Sequence, residues 1–548
     1  MQSHSLGDPS PDNEDESAIL LPRSQPQPDH DNESDPDNNS GRDDNEASPD
    51  KRPRRHLGLF STTFLITNRM IGTAIFSVPS SICGSVGSSG ATLLLWLAGL
   101  FLAYCGMFIW IELGSLMPRS GGEKVYLEAA FPRPAMLVTT VFMIFVVGLG
   151  FTGIGSVVVA ENILLAINDT ASDWVKRALA IGVLTLIATI HIKSCRMGVK
   201  IMNILASAKI LILILIILSG LRALAGDLPQ IPSPGSSLSH PFENSSTSIP
   251  AYTNALFKIL ATYQGWSNAA YVLDEVQNPR VVLKIAGLVG VGSVGILYIL
   301  TNISYFIVAT PEEISRTGVT VVALLIGRVF GETMLWLTAL LAALSSFGNL
   351  MTASFSMARV VREFAREGVL PFSGVFVRRT REGGPSWAFG LVFAASAGMI
   401  LFIPFGEVYN FLLDVGQYAI AIINVLVITG LFIIRRQQTQ AQHRSISQSD
   451  LKEGTLRAWT PIVYIFLVSQ VFLLITPFVP AATDKKVGKA LPSWLYAVVA
   501  ILVFLGAGVY WFVSWVVVPR RGGFVWKGRK EVLPDGEDVV FWDKVKVR

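Results

Sequence analysis

The residues whose types best suit chemistry lie in an interruption of a long apolar segment, at residues 68–79. Gly72, Thr73 and Pro79 fall near the middle of a run long enough to cross a bilayer, where they favour a broken helix. A break at that depth leaves unpaired N–H groups at the start of the second half-helix, and these groups suit a carboxylate. The stretch therefore predicts a carboxylate-binding site, and a kink that serves only helix packing is the alternative.

A second interruption lies in the sixth apolar run, at residues 261–268. Its sequence, Ala-Thr-Tyr-Gln-Gly-Trp-Ser-Asn, places polar side chains and a glycine in the middle of the run. The two interrupted runs are separated by the spacing expected of an inverted repeat, which holds a substrate between its two broken helices. A packing kink has no reason to recur at corresponding positions, so the pair of breaks favours a transport site.

Lys209 is the most informative of the charges in the apolar runs, because it lies well inside the fifth run, too deep to reach the cytosolic face easily. A charge at such a depth costs about 3 kcal/mol unless it is paired or reached by water. One hypothesis is that the amine links helices while charged and releases them when neutral, which would couple proton binding to conformation. The alternative is a permanent structural cation bound to backbone carbonyls.

Other charged residues in or near the apolar runs have less specific roles. Arg69 and Glu112, in the first two runs, are candidates for a pair with each other. Glu161 and Glu275 lie near run ends, which favours a solvated or loop-anchoring role. Asp414, deeper in the tenth run, is either a second titrating group or a hydrogen-bond partner of a neighbouring helix.

The elements that must position these residues follow from composition. The chain has 548 residues, of which 51% are hydrophobic and 15% charged, too apolar for a soluble multidomain enzyme. We therefore expect an all-α polytopic membrane protein. Roughly twelve apolar runs are long enough to span a bilayer, near 58–84, 91–117, 135–166, 177–192, 201–221, 252–275, 285–309, 333–358, 387–404, 408–434, 459–480 and 492–518.

The distribution of charge predicts the orientation. Residues 1–55 are rich in acidic and polar side chains and are expected to form a disordered acidic cytosolic tail. Basic residues next to the first run, and roughly thirty Lys and Arg in alternate loops against about eight in the others, place both termini in the cytosol. Sequons at Asn168 and Asn244 fall in the predicted outer loops.

Cysteine and histidine give no sign of a catalytic or metal centre. Cys83, Cys105 and Cys195 lie in or beside apolar runs without metal-ligand spacing, so they are expected to pack as small hydrophobes. The 6 histidines lie in the tail, at run ends or in loops, where none offers a convincing buried base. We therefore predict a protein that is not an enzyme, without cofactor, metal or nucleic-acid partner.

Several short motifs occur in one order along the chain. They are residues 68–76, Glu112-Leu113-Gly114 with Ser120-Gly121-Gly122-Glu123, residues 263–266 with Glu275 and Asn278-Pro279, and residues 345–348 with Arg359 and residues 366–371. Together they make the chain after residue 56 resemble the amino acid/polyamine/organocation superfamily and, within it, the L-type amino acid transporter family. The closest likeness is to the fungal methionine-permease branch of that family.

The resemblance implies twelve transmembrane helices in a LeuT-like fold, a 5+5 inverted repeat with broken helices 1 and 6. The expected segments are a transport core at 56–434 with repeats at about 56–221 and 251–434, a cytosolic loop at 435–457, helices 11 and 12 at 458–518 and a cytosolic C-terminal tail at 519–548. Alternating access would occur around helices 1, 3, 6, 8 and 10.

The resemblance also implies which residues hold the substrate, mostly through the main chain of the two breaks. They are Ile71, Gly72, Thr73, Ala74, Ile75, Ala261, Thr262 and Gln264. The N–H groups of Thr73, Ala74 and Ile75 would hold a carboxylate, and carbonyls of both breaks would hold an ammonium. Lys209 corresponds to the lysine that takes the place of a sodium ion in relatives. Residues implied in gating or in lining the pocket are Tyr263, Trp266 and Ser345.

Three residues depart from the family pattern. Ala74 stands where glycine is usual, which slightly hinders approach of a carboxylate to the backbone. Ala261 replaces an aromatic gate, which enlarges the pocket or moves the gate to another side chain. Gln264 replaces a glycine and could contact the substrate side chain. Recognition of the carboxylate survives these changes more surely than any side-chain preference.

The expected function is import of a neutral amino acid, apolar or thioether, across the plasma membrane. Methionine is favoured by the likeness alone, and a pocket without an inward-facing counter-charge at the breaks suits an apolar side chain. Proton symport through Lys209 is the preferred energy source, with amino acid exchange or a non-transporting receptor as alternatives. The expected partners are substrate, protons, lipid, and trafficking or ubiquitination machinery at the tail. No heavy chain is expected, because the outer loop between spans three and four has no cysteine.

Overall fold

The computed structural model describes residues 55–148, 151–167, 171–226, 228, 230–231, 233–317, 321–380, 384–405, 407–444, 456–478, 492, 494–532 and 538–546. The predicted acidic tail at residues 1–55 lies almost entirely outside these ranges, and so does the sequon at Asn168. Parts of the predicted loop at 435–457 and of the predicted C-terminal tail also lie outside them.

The described chain is almost entirely helical. Its first half contains α1 (Leu59–Met70), α2 (Ala74–Val86), α3 (Ser89–Leu116), α4 (Glu123–Ala130), α5 (Leu137–Gly148), α6 (Phe151–Ala166), α7 (Asp173–Lys193), α8 (Cys195–Leu224), α9 (Ser236–Ser239) and α10 (Ile249–Thr262). After a 3-10 helix at Trp266–Glu275 come α11 (Pro279–Val308), α12 (Pro311–Arg316), α13 (Val321–Phe330), a 3-10 turn (Glu332–Met334), α14 (Leu335–Arg366), α15 (Ser373–Phe376), α16 (Ser386–Phe402) and α17 (Glu407–Arg444). The last helical elements are α18 (Thr460–Ile475), a 3-10 turn (Thr476–Phe478), α19 (Leu495–Phe512), a π-helical turn (Val513–Val517) and α20 (Val518–Gly522).

Long apolar helices dominate this architecture. Within the described ranges, 9 helices are long and apolar enough to cross a membrane. On α8 the exposed Leu211, Leu215 and Leu218 form an apolar stripe, whereas Lys209 and Ile212 are buried. An outward apolar stripe on a long helix suits contact with lipid, because every backbone group of a helix is already paired. The predicted multi-pass membrane protein is therefore confirmed.

Close helix packing surrounds the first helix. α11 contacts α1, α3 and α8. Gly287 and Gly290 permit this approach, because a Cβ atom at these positions would lie 2.2 Å from Met107 Cε and 3.1 Å from Ile66 Cγ2. Small residues let membrane helices pack backbone to backbone, which fixes α1 against its neighbours.

Side chains cap several of the helix ends. Ser88 Oγ accepts from the Ala91 N–H at the start of α3, and Ser194 Oγ accepts from the Met197 N–H at the start of α8. Such caps satisfy N–H groups that a helix leaves unpaired in its first turn. The beginning of each of these long helices is therefore set by its own sequence.

A β-hairpin follows the last helix, and the sequence analysis did not predict it. β1 (Phe524–Val532) pairs antiparallel with β2 (Asp538–Lys546), with Phe524 opposite Lys546. Trp542 Nε1 donates to the Glu367 carbonyl just after α14 (2.9 Å), so the hairpin packs on the helical part. Its strands are rich in valine and aromatic residues, a composition that favours strands and was the available signal.

Candidate functional site

The first apolar run is interrupted where the sequence predicted. α1 ends at Met70, Ile71 has an extended backbone (φ −75°, ψ 98°), and α2 begins only at Ala74. Gly72, Thr73 and Ala74 are half-buried, so a ligand entering the bundle can reach them. The break is therefore an accessible gap in the backbone.

The amide side of this break is unpaired. Among the residues that the structure describes, no acceptor is found for the N–H groups of Gly72, Thr73 and Ile75. Ala74 is the first residue of α2, where a helix supplies no acceptor of its own. Phe76 is the first residue after the break whose N–H donates to a main-chain carbonyl, that of Thr73 (3.0 Å). The N-terminus of α2 therefore presents main-chain donors and the positive end of its dipole to the gap.

The carbonyl side of the break is held by Lys209 on α8. Its Nζ donates to the Asn68 carbonyl (2.8 Å) and to the Ile71 carbonyl (2.5 Å). Gly348 on α14 leaves room for this amine, because a Cβ atom there would lie 2.9 Å from Lys209 Cε. The carbonyl contacts proposed for a structural cation are thus present, while the proton-coupling hypothesis remains a prediction.

Three further side chains complete the capture of these carbonyls. Asn349 Nδ2 donates to the Arg69 carbonyl (2.5 Å), and Tyr298 Oη donates to the Met70 carbonyl (2.9 Å). Ser345 Oγ donates to the Gly72 carbonyl (2.9 Å). Every carbonyl from residue 68 to residue 72 therefore accepts a side-chain hydrogen bond. Ser345 was predicted at this site, whereas Tyr298 and Asn349 were missed because only the fold brings them near residue 70.

The sixth apolar run is also interrupted. α10 ends at Thr262, and a 3-10 helix begins at Trp266. Gly265 lies between them with φ +119°, a backbone conformation that favours glycine. A Cβ atom at Gly265 would come within 2.8 Å of Arg69 Cγ and 2.9 Å of the Arg69 carbonyl carbon. The two breaks are therefore in direct contact.

Tyr263 and Trp266 lie among other aromatic rings. Tyr263 is fully buried, with its ring centroid 5.7 Å from Trp96 and 5.4 Å from Tyr298. Trp266 meets Trp110 edge-on at 4.9 Å. Edge-to-face contacts of this kind stabilise packing. Ring packing therefore holds Tyr263 and Trp266 in place at the second break. A role of these two residues in gating remains a prediction.

A small cavity of about 40 Å³ lies against the second break. Four of the predicted site residues line it: Ala261, Tyr263, Gln264 and Trp266. Carboxamides of α17 and α18 also line it, namely those of Gln417, Asn424 and Gln470, and Asn424 Nδ2 donates to Gln470 Oε1 (3.0 Å). The sequence analysis missed these three residues, although amide side chains inside two apolar runs were an available signal.

The predicted pair of Arg69 and Glu112 is wrong. Glu112 accepts from Arg435 Nε (2.8 Å) and Nη2 (2.6 Å) and from the Ala458 N–H (2.7 Å). Arg69 instead donates from Nη1 to Asn349 Oδ1 (2.5 Å). The prediction failed because residue order does not say which face of a helix a side chain occupies.

Glu275 is not solvated, which corrects part of another prediction. It is 4% exposed and accepts from Arg359 Nε and Nη2, both at 2.8 Å. Its main chain has the predicted anchoring role, because the Leu57 N–H donates to the Glu275 carbonyl (2.9 Å). This contact ties the start of α1 to the end of the second broken segment. Glu161 is exposed, as expected of a solvated group.

The His56, Cys195 and Glu275 side chains bring possible metal ligands within 4.8 Å of one another. The Arg359 guanidinium already donates to both carboxylate oxygens of Glu275 and to Cys195 Sγ (3.3 Å). A fixed cation thus serves the ligand atoms that a metal would need. The cluster fits a buried ion pair between helices better than a metal site.

A second charged cluster surrounds α4, outside the apolar spans. Arg119 donates to Glu363 Oε2 and Glu367 Oε1, both at 2.9 Å, while Lys124 pairs with Glu128 (2.8 Å) and with Glu367. Burial raises the pKa of Glu367 despite these cations. Burial also acts on Glu128, but Lys124 outweighs it and lowers the pKa of that carboxyl. This network connects α4 to the end of α14.

Known proteins resemble this chain over most of its length. A family model described as amino acid permease matches residues 57–505. The high-affinity methionine permease of Saccharomyces cerevisiae is 32% identical over 498 residues, which cover 90% of this chain and 84% of that protein. The low-affinity methionine permease of the same yeast is 29% identical over 89% of this chain and 88% of its own length. The b(0,+)-type amino acid transporter 1 of Mus musculus is 29% identical over 84% and 89% of the two chains.

Proposed function

Because the chain belongs to the amino acid permease family, we propose that it imports a neutral amino acid, with methionine favoured, across the plasma membrane. Both yeast proteins among the relatives are described as methionine permeases. Homologues that are permeases and transporters also make a non-enzyme plausible.

The single observation that carries the proposal is the unpaired amide side of the first break. The N–H groups of Gly72, Thr73 and Ile75 have no acceptor within the described ranges, and they lie at a helix N-terminus. A carboxylate there would gain charge-assisted hydrogen bonds from donors that are already in position. Ala74 stands where the family usually has glycine, and the residue is half-buried and not fully enclosed.

The substrate ammonium is proposed to meet carbonyls of both breaks. Ile71, Ala261, Thr262 and Gln264 form this set. The Ile71 carbonyl already accepts from Lys209 at 2.5 Å, so a substrate ammonium would share this carbonyl with the charged amine. In symport the substrate and the Lys209 proton are carried together, and loss of the proton after the substrate has left would weaken the hold of Lys209 on the Asn68 and Ile71 carbonyls. We therefore propose proton symport, with exchange as the alternative energy source.

The substrate side chain is proposed to extend toward Ala261 and Gln264. Ala261 leaves space where relatives carry an aromatic gate, and both residues line the cavity beside the second break. An unbranched thioether combines apolar surface with a weak hydrogen-bond acceptor. That chemistry suits walls made of apolar side chains and carboxamides.

The architecture that this function needs is a twelve-span LeuT-like fold. The 9 long helices leave three of the expected spans to be supplied by shorter elements. The interrupted pairs α1 with α2, and α10 with the 3-10 helix, supply spans one and six, and α16 supplies span nine. The predicted repeats at about 56–221 and 251–434 then each contain one broken helix. Both termini are proposed to be cytosolic, with the acidic tail available to trafficking or ubiquitination machinery.

The decisive experiment is uptake into reconstituted vesicles. Radiolabelled methionine is offered with each amino acid as competitor, at two pH values and with or without a proton gradient. Gradient-driven accumulation supports symport, whereas uptake only into preloaded vesicles indicates an exchanger. Saturable binding without accumulation would favour a receptor and contradict the proposed transport.

A further inference from the structure

We propose that Arg69 is a second carboxylate contact, which receives the substrate carboxylate after it leaves the N–H groups of the first break. The inference rests on the proposed function and adds a residue to the exit path. Arg69 lies in the last turn of α1, on the side of the break that the basic residues predict to be cytosolic.

The guanidinium lies next to the gap. Arg69 Nη1 donates to Asn349 Oδ1 at 2.5 Å. Asn349 Nδ2 in turn lies 3.5 Å from the point that a Cβ atom on Gly72 would occupy. One amide side chain therefore separates the guanidinium from the first of the unpaired N–H groups. Asn349 Nδ2 also donates to the Arg69 carbonyl (2.5 Å), so the arginine is held at both ends.

No acidic side chain neutralises this arginine. Among the described residues its side chain pairs only with the neutral Asn349, and its Nε and Nη2 donate to no protein acceptor. The other buried arginines described above, Arg359 and Arg435, each form a bidentate pair with a glutamate. Arg69 is thus a cation with spare donors beside a substrate path.

A substrate carboxylate is the group that this arrangement lacks. Buried or half-buried guanidinium groups are normally paired, because an unpaired charge loses solvation without compensation. The planar guanidinium can bind a carboxylate through two parallel N–H donors. A carboxylate that moves from the N–H groups of the break to Arg69 would exchange one set of hydrogen-bond donors for another and would never be left without donors.

The competing explanation is that Arg69 only joins the two breaks. It packs against Gly265, where a Cβ atom would clash with Arg69 Cγ at 2.8 Å. A purely structural arginine would affect all ligands equally. A carboxylate contact affects only ligands that carry a carboxylate, and chiefly on the α1 side of the membrane.

The test compares Arg69→Gln and Arg69→Lys with the unaltered protein in vesicles of defined orientation. KM for methionine is measured separately from each side, and inhibition is measured with methioninol, which keeps the amine and side chain but lacks the carboxylate. Loss of a charged hydrogen bond predicts that Arg69→Gln raises KM on the α1 side about tenfold or more. KM on the opposite side and inhibition by methioninol should stay within about twofold of the unaltered protein. Arg69→Lys should recover part of the loss, since it keeps the charge.

A matched control is Arg316→Gln, which removes an exposed arginine on α12 that pairs with Glu312. Monodisperse elution from a gel-filtration column verifies folding of each variant, and Arg69→Lys serves if Arg69→Gln does not fold. Equal effects on methionine and methioninol, or unchanged KM from both sides, would overturn the inference and leave the proposed function standing. Failure of the unaltered protein to bind methionine would instead overturn the proposed function.

Discussion

The two breaks are built in different ways. At the first break, side chains from three helices hold every carbonyl from residue 68 to residue 72. At the second, within the described part of the chain, the carbonyls from residue 261 to residue 265 accept from no side chain, and main-chain hydrogen bonds such as that from the Gln264 N–H to the Ala261 carbonyl (3.3 Å) replace them. Hydrogen bonds fix the first break, whereas packing holds the second.

The segment after the second break supports the same contrast. Trp266–Glu275 consists of two 3-10 segments joined by a kink at Val272, whose backbone is not helical (φ −129°, ψ 18°). Short 3-10 segments of this kind often mark hinges. We therefore expect the first break to be a fixed frame for the charged end of the proposed substrate, and the second to be the part that adjusts to its side chain. The two regions should respond differently to mutation.

The largest effect is expected when the fixed frame loses a donor. Thr73→Pro removes the N–H of Thr73, whose φ of −82° proline can adopt. The backbone should therefore keep its path while one charged hydrogen bond is lost, lowering methionine uptake about tenfold to hundredfold. Uptake into vesicles measures this.

Thr73→Ala is the matched control, because it keeps the N–H and removes only the side chain. Surface expression and elution profile should match the unaltered protein for both variants. Normal transport by Thr73→Pro would mean that the first break is not the carboxylate site.

The next largest effect is expected at Lys209. Lys209→Ala leaves the Asn68 and Ile71 carbonyls without their donor and removes the only side-chain amine at the break within the described residues. We expect accumulation driven by a proton gradient to fall about tenfold, while equilibrium binding of methionine changes less. Lys209→Arg keeps a charge and tests position. A pH dependence identical to that of the unaltered protein would reject the coupling role and leave Lys209 as a structural cation.

The sequence predicted the breaks but not their surroundings. Glycine, proline and polar residues inside an apolar run indicate that the helix is interrupted where they occur. The breaks at residues 71–73 and 263–265 could therefore be located from the local residue types. Tyr298 and Asn349 could not, because they lie more than 200 residues from the carbonyls they bind. Their positions depend on helix packing and rotation, which local patterns do not specify.

The same limit explains the wrong ion pair. Glu112 was placed with Arg69 because both lie in the first two runs, yet its partner is Arg435 on α17. A charged residue in an apolar run predicts that it has a partner, but its position in the sequence does not show which residue that partner is. The missed hairpin differs, because the valine and aromatic residues of its two strands are a local signal that the sequence itself offers.

The next effect is a loss of stability in Gly265→Ala, which should disturb the second break more than the first. Its φ of +119° disfavours any side chain, and the new Cβ would lie 2.8 Å from Arg69 Cγ. The strain should cost about 1 to 3 kcal/mol of stability and lower the thermal unfolding temperature. Gly508→Ala is the matched control, because nothing lies within 4 Å of its Cβ position in α19. A melting temperature equal for both variants would contradict direct contact between the two breaks.

The smallest and most selective effect is expected at Ala261, on the adjustable side. Ala261→Phe fills part of the cavity shared with Gln264, Gln417 and Gln470, so it should reduce uptake of methionine more than that of alanine. A pocket contact of this size discriminates by about 1 to 3 kcal/mol, which corresponds to a several-fold to hundredfold change in the uptake ratio. Leu218→Phe on the exposed face of α8 is the control for an added ring. Equal loss of uptake for both amino acids would mean that the cavity does not hold the substrate side chain. The proposed adjustment at the second break would then have to be tested by measuring its motion.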